Sequence, residues 1–257
     1  AAGSRRETAL AERALAEVER ARGDYVAGLR HAARARHLAE RANDPRTQAT
    51  VLSEYALLLS RVGDDERARE TFDLLVSSAD PGIAAPVESL PRARALRVYY
   101  NAAMAHRAAG RFDAALQLLD RAAKLPKAPP APSAEWSLTT ARALTLIDLG
   151  AHDEARMLLE ATDESQLKAG WQRAQLLALR GGIALATGAR PEVALAIVEE
   201  GLAIAGLGPP LRFALERVRA LCLLARGRHD EAERIAIALT AGAARGGTRA
   251  HAAQALA

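Results

Sequence analysis

The chain has 257 residues, of which half are apolar and only 4% are aromatic. Its 35 basic and 31 acidic residues leave a formal charge of +4, a small excess that argues only weakly for nucleic-acid binding. The single cysteine excludes a disulfide within the chain, and no uncharged apolar run of about 18 residues could cross a membrane. Because strand-like runs of Val, Ile and Thr are absent, we expect an all-α, cytoplasmic protein.

One unit recurs six times along the chain: a helix, a glycine turn and a second amphipathic helix. The turn glycines are separated by 40, 47, 40, 38 and 39 residues. They are Gly23, Gly63, Gly110, Gly150, Gly188 and Gly227. A nearly fixed period in this range is typical of a solenoid, in which each repeat packs on its neighbours.

In chain order, loops rich in proline and glycine separate the predicted repeats. Asn43-Asp44-Pro45 ends the first repeat, and an insertion at 80–86 makes the second interval the longest. The proline-rich stretch 126–132 reads as an extended connector between repeats. We predict one domain over 1–257, with repeats at about 4–41, 45–79, 89–125, 133–161, 164–205 and 210–243 and a capping helix at 248–257. The missing initiator methionine and the abrupt end suggest a domain excised from a larger protein.

Small residues occupy two columns when the repeats are aligned on their glycines. Seven positions before the glycine stand Ala16, Ala56, Ala103, Ala143, Gly181 and Ala220. Five positions after it stand Gly28, Ala68, Ala115, Ala155, Val193 and Ala232, of which all but Val193 are small. Two helices that cross closely need small residues where their backbones approach, so these columns predict the helix contacts within each repeat.

The glycine turn and the second helix resemble the tetratricopeptide repeat family. Gly-Asp-Tyr at 23–25 and Gly-Arg-Phe-Asp-Ala-Ala at 110–115 match its motif, and the pattern recurs in register over about 4–243. The period near 40 departs from the usual length of about 34 residues. It is similar to the long-helix variety found in bacterial signalling proteins. The resemblance implies a right-handed α-α superhelix whose first helices line a concave groove.

The resemblance also implies that residues 13, 10, 6 and 3 positions before each glycine face this groove. The candidate partner-binding residues are Arg13, Arg20, Ser53, Arg97, Tyr100, Asn101, Met104, Arg107, Leu144, Arg217 and Leu221. Arg97 and Arg107 suit carboxylates, and Tyr100 and Met104 suit apolar side chains, so an acidic-then-apolar peptide would fit. Alternatively, the first half of the groove is a solvated face and the second half is packed within the superhelix.

One column departs from the family pattern. Eight positions before the glycine, the last three repeats carry Arg142, Arg180 and Arg219. These arginines form either a basic ladder along the later repeats or ion pairs with carboxylates on neighbouring helices. We favour the ion pairs.

No motif for catalysis or metal binding is present. His-Asp-Glu occurs at 152–154 and at 229–231, in equivalent turns where carboxylates favour the start of the following helix. The sequence has no His-Glu-x-x-His spacing, no paired cysteines and no glycine-rich phosphate loop. We therefore predict no catalytic residue, no metal and no cofactor.

These features together predict a non-enzymatic scaffold or adaptor that binds a protein or peptide through the concave groove. The arginines of the groove suit a partner with an acidic segment. The alternative is a sensor or regulatory arm of a multidomain bacterial signalling protein, such as a STAND-type ATPase or a Ser/Thr kinase. Its partner would then be another domain of the same polypeptide. A nucleic-acid-binding superhelix is the third hypothesis and the one we favour least, and we expect no membrane contact.

Overall fold

The computed structural model describes residues 2–77, 86–126 and 130–245. Within these ranges it has twelve α-helices and no strand, which confirms the all-α prediction. The helices are α1 (Ala2–Arg22), α2 (Tyr25–Ala42), α3 (Pro45–Val62), α4 (Asp65–Val76), α5 (Arg92–Ala108), α6 (Phe112–Ala123), α7 (Pro132–Asp148), α8 (His152–Glu160), α9 (Gly170–Ala186), α10 (Pro191–Leu202), α11 (Pro209–Ala225) and α12 (His229–Arg245). Short 3-10 turns occupy Pro86–Ser89 and Glu164–Gln166. The predicted capping helix at 248–257 lies outside the described residues.

The predicted glycine turns are confirmed by their backbone geometry. All six turn glycines lie between the two helices of a repeat and have positive φ angles between 70° and 85°. Glycine adopts this left-handed conformation without the steric penalty of a Cβ atom, which is why it ends the first helix of each repeat. At Gly63, for example, the next backbone N–H (Asp64) donates to the carbonyl of Leu59 at 3.0 Å and so satisfies the end of α3.

Aspartates begin several of the helices. The Asp24 side chain accepts from the backbone N–H of Ala27 at 2.9 Å and caps α2. Asp44 holds the same position before α3, but its side chain accepts from the Thr47 hydroxyl instead of a backbone N–H. This hydrogen bond lowers the pKa of Asp44, burial opposes that shift, and the charge of Arg6 lowers the pKa further.

The chain divides into two compact units, residues 1–141 and 142–257. The core of the first unit is built from large apolar side chains that α3, α4 and α5 bury completely, among them Leu58, Phe72 and Tyr99. The predicted small columns are buried here as well, as Ala103 with 1% exposure illustrates. A Cβ atom on Gly28 would lie 3.1 Å from the backbone oxygen of Ala16, so α1 and α2 approach where the columns predict.

The second unit packs α9, α10, α11 and α12 around a smaller apolar core. The small column is wrong at one position in this unit. Val193 is 44% exposed, whereas Ala194, the next residue, is completely buried. The helix α10 begins at Pro191, three residues after Gly188, whereas the other second helices begin two residues after their glycine. This one-residue delay shifts the buried face of the helix.

The arginine column of the later repeats is engaged in local interactions. Arg180 pairs with Glu164 and donates to the carbonyl of Leu159 at 3.0 Å, near the end of α8. Arg219 lies 3.5 Å from Glu216. The expectation of ion pairs is therefore confirmed for these two arginines. The expected partner on a neighbouring helix is wrong for Arg219, because Glu216 belongs to the same helix, three residues earlier.

The close approach of helices in the second unit predicts opposite effects of alanine at two adjacent glycines of α9. A Cβ atom on Gly181 would lie 2.6 Å from Cγ2 of the buried Val198, whereas on Gly182 the nearest atom would be 3.8 Å away. We expect Gly181→Ala to lower the free energy of unfolding by about 1–3 kcal/mol through overpacking. We expect Gly182→Ala to raise it by about 0.5–1 kcal/mol, because alanine favours the helix. Chemical denaturation of both variants measures this, and equal stabilities would contradict the close approach.

Candidate functional site

A cleft of about 380 Å³ opens in the first unit between α1, α3, α5 and the start of α7. We call it the basic cleft. Helical spacing explains which side chains line it, because residues three, four or seven positions apart share one face of a helix. Arg13, Glu17 and Arg20 follow this spacing on α1, and Arg94 and Arg97 follow it on α5.

The structure brings six of the eleven predicted site residues together in this cleft. These are Arg13, Arg20, Ser53, Arg97, Tyr100 and Asn101. Of the others, Met104 lines an adjoining cavity, and Arg107 is half-buried close enough to Tyr100 to influence its titration. Leu144, Arg217 and Leu221 belong to the second unit, where Arg217 and Leu221 are exposed.

Positive charge exceeds negative charge in the basic cleft. Five arginines and two glutamates line it. Both glutamates are already paired: Glu54 lies 2.7 Å from Nε of Arg20, and Glu17 lies 3.1 Å from Nη1 of Arg13. The remaining arginines, Arg61, Arg94 and Arg97, have no ion pair with any part of the chain that the structure describes. The cleft therefore presents three guanidinium groups that a ligand could neutralise.

Arg94 is the most constrained of these three arginines. Its Nη1 donates to the hydroxyl of Thr50 at 3.3 Å. Burial lowers the pKa of its guanidinium, and the nearby positive charges of Arg13, Arg97 and Arg46 lower it further, while Glu17 opposes them. Like charges are thus crowded around Arg94, and an anion placed among them would relieve their repulsion.

A second, smaller cavity of about 210 Å³ adjoins the basic cleft between α3 and α5. The two openings share Leu57, Arg61, Tyr100 and Asn101, and the smaller one reaches Met104. Burial raises the pKa of the Tyr100 hydroxyl, while the charges of Arg107 and Arg61 oppose that shift. This cavity has the dimensions and the lining to accept one partly apolar side chain beside the charged cleft.

Sequence reasoning missed Glu54, Arg61 and Arg94, all of which line the basic cleft. The family columns begin 13 positions before the glycine, but α5 begins at Arg92, early enough to carry a further turn into the cleft. Arg94 precedes Arg97 by three residues and so shares its face. Extending the helical periodicity by one turn would have found it.

Two histidines of the first unit pair with carboxylates on other helices. His31 lies 2.7 Å from Glu12, and His106 lies 2.7 Å from Asp73, so each pair joins two helices. Nowhere in the described chain do three or more His, Cys, Asp or Glu side chains gather as metal ligands would. None of the described helices combines the length and apolar character needed to cross a membrane.

The pairing of Glu54 within the cleft generates a prediction about stability. Glu54 is largely buried and accepts a charge-assisted hydrogen bond from Arg20. Glu54→Gln should therefore lower the free energy of unfolding by about 1.5–3 kcal/mol. Glu17→Gln is the matched control: its side chain is half exposed, and the expected loss is below about 1 kcal/mol. Urea denaturation measures the free energy of unfolding of both variants. Equal losses of stability would show that the Arg20–Glu54 pair contributes no more than the exposed Arg13–Glu17 pair.

Comparison with known proteins adds to this geometry. A family model of the tetratricopeptide repeat matches residues 96–129. No curated protein sequence matches the chain. Among solved structures, a thermophilic tetratricopeptide repeat protein from Thermus thermophilus shares 23% identity, with a TM-score of 0.55 over 84% of this chain and 99% of its own. A tetratricopeptide repeat protein from Parabacteroides merdae shares 16% identity, with a TM-score of 0.49 over 97% of this chain and 98% of its own.

The Thermus structure shows the fold that the described helices adopt, a repeated helix-turn-helix of the tetratricopeptide type. The matched segment contains most of α5, the turn at Gly110 and all of α6, the same repeat whose motif is clearest in the sequence. Residues 96–129 thus match the tetratricopeptide repeat, and the described helices share the fold of a solved tetratricopeptide repeat protein.

Proposed function

We propose that this chain is a protein-interaction module that binds an acidic peptide segment of its partner in the basic cleft. Tetratricopeptide repeats generally mediate protein–protein interactions, and proteins built from them are typically non-enzymatic scaffolds. The observation that carries the proposal is the set of three arginines in the cleft without a carboxylate partner among the described residues, Arg61, Arg94 and Arg97.

A peptide with several carboxylates fits this charge pattern. Guanidinium groups bind carboxylates through two parallel hydrogen bonds, which gives both attraction and orientation. The volume of about 380 Å³ is large enough for a short stretch of extended chain. Ser53, Ser137 and Asn101 line the same opening and can hydrogen-bond to a peptide backbone.

The lining favours a protein partner over a nucleic acid. Glu17 and Glu54 stand among the arginines and would repel a continuous chain of phosphates. Proteins that bind single-stranded nucleic acids typically stack successive bases on several aromatic side chains, whereas among the described residues only Tyr100 brings an aromatic ring to the cleft.

The proposal predicts that charge reversal in the cleft abolishes binding. We would measure the fluorescence anisotropy of a labelled peptide of alternating aspartate and alanine. Arg61→Glu combined with Arg97→Glu should weaken binding at least about tenfold, a loss of about 1.4 kcal/mol, because attraction becomes repulsion. Raising the salt concentration from about 50 to about 300 mM should weaken binding to the unaltered chain.

The matched control changes the net charge equally, at positions outside the cleft. Arg5 on α1 and Arg30 on α2 are exposed and do not line it, so Arg5→Glu combined with Arg30→Glu should leave the affinity within about twofold. Circular dichroism would show that both double variants keep their helix content. If both double variants bound the peptide alike, the basic cleft would not be the binding surface.

A further inference from the structure

Three arginines gather in one part of the basic cleft. Arg13 comes from α1, and Arg94 and Arg97 come from α5. The hydrogen bond from Arg94 to the Thr50 hydroxyl fixes the central guanidinium. The buried Nε of Arg13 has no hydrogen-bond acceptor among the described residues, so the fold leaves part of the hydrogen-bonding capacity of this side chain unused.

We propose that Arg13, Arg94 and Arg97 form a subsite for a doubly charged phosphate group, carried on a phosphorylated side chain of the partner peptide. This inference rests on the proposed function, because it specifies which anion the peptide brings to the cleft. The subsite is the part of the cleft that these three arginines line, and the rest of the lining contacts the peptide beside the phosphate.

Charge and hydrogen-bonding capacity favour phosphate over carboxylate at this subsite. A carboxylate brings one negative charge and two acceptor oxygens, whereas a phosphate monoester near pH 7 brings almost two charges and three strong acceptor oxygens. Glu17 neutralises Arg13 in part, at 3.1 Å, and leaves an excess of about two positive charges on the three arginines. A dianion therefore matches the subsite, and its three oxygens can bridge guanidinium groups on two helices.

The same lining separates a phosphopeptide from a nucleic acid. A single phosphate needs only the three arginines of the subsite, and Glu54 remains paired with Arg20. A polynucleotide would place successive phosphates along the whole cleft and against both glutamates. The cluster therefore suits one isolated dianion on a protein chain.

The test compares three labelled peptides that differ at one central position, which is phosphoserine, glutamate or serine, between flanking aspartates. At pH 7.5 we expect the phosphoserine peptide to bind about tenfold more tightly than the glutamate peptide, with the serine peptide weakest. At pH 5 the phosphate, whose second pKa is about 6, carries close to one charge, so its advantage over glutamate should fall to about twofold. No histidine is found among the described residues that line the cleft, which leaves the phosphate as the group that titrates.

Two conservative variants locate the effect. Arg94→Lys keeps the positive charge but removes the planar guanidinium with its paired hydrogen-bond donors. It should weaken binding of the phosphoserine peptide about fivefold or more, and binding of the glutamate peptide much less. Arg61 lines the same cleft but does not belong to the subsite, so Arg61→Lys should change the affinity for both peptides by the same factor. Inorganic phosphate at millimolar concentration should displace the phosphoserine peptide more effectively than acetate does.

The outcomes separate the two proposals. Equal affinities for phosphoserine and glutamate at pH 7.5, or equal losses for both peptides in Arg94→Lys, would overturn the phosphate subsite and leave the acidic-peptide function standing. Failure of all three peptides to bind would overturn both. Tighter binding of a labelled ten-nucleotide uridine RNA than of the phosphoserine peptide would replace the peptide with a nucleic acid.

Discussion

The structure depends on the close approach of the two helices within each repeat. Small residues stand where the backbones approach: even a Cβ atom on Gly28 would lie 3.1 Å from the backbone oxygen of Ala16. Because each side chain has a fixed direction from its helix, this contact decides which face of the first helix is buried and which is left free. In the first unit, the faces of α1, α3 and α5 that remain free carry the arginines of the basic cleft.

An excess of arginines over carboxylates makes that free face positively charged. Ion pairs satisfy the arginines on which the fold depends, such as Arg20 with Glu54, and leave Arg61, Arg94 and Arg97 without a carboxylate in the described chain. Crowded like charges reduce the stability of a folded protein, so a cluster of this kind is typical of a surface that an anionic ligand neutralises. The adjoining cavity at Tyr100 and Met104 adds an apolar contact beside the charged one.

The repeat pattern predicted the turns and most helix contacts. The same local geometry recurs in every repeat and requires glycine at the turn and small residues at the helix contact. It failed where one repeat differs in length: α10 begins one residue later than its counterparts, and Ala194 is buried in place of Val193. The cleft was predicted less completely. Arg94 enters it because α5 begins early, and the availability of each arginine depends on side-chain pairing between helices distant in sequence, such as Arg20 with Glu54. A repeat alignment contains no information on this pairing, whereas helical periodicity extended by one turn would have included Arg94.

The first-helix face of the first unit is the surface at which we propose that the partner binds. A titration of the isotope-labelled chain with the alternating aspartate–alanine peptide, followed by ¹H–¹⁵N chemical shifts, locates the binding surface. We expect the largest shift changes on residues of α1, α3 and α5 that line the basic cleft, with Arg97 and Tyr100 among them. Changes confined to α2, α4 and α6, or to the second unit, would contradict it.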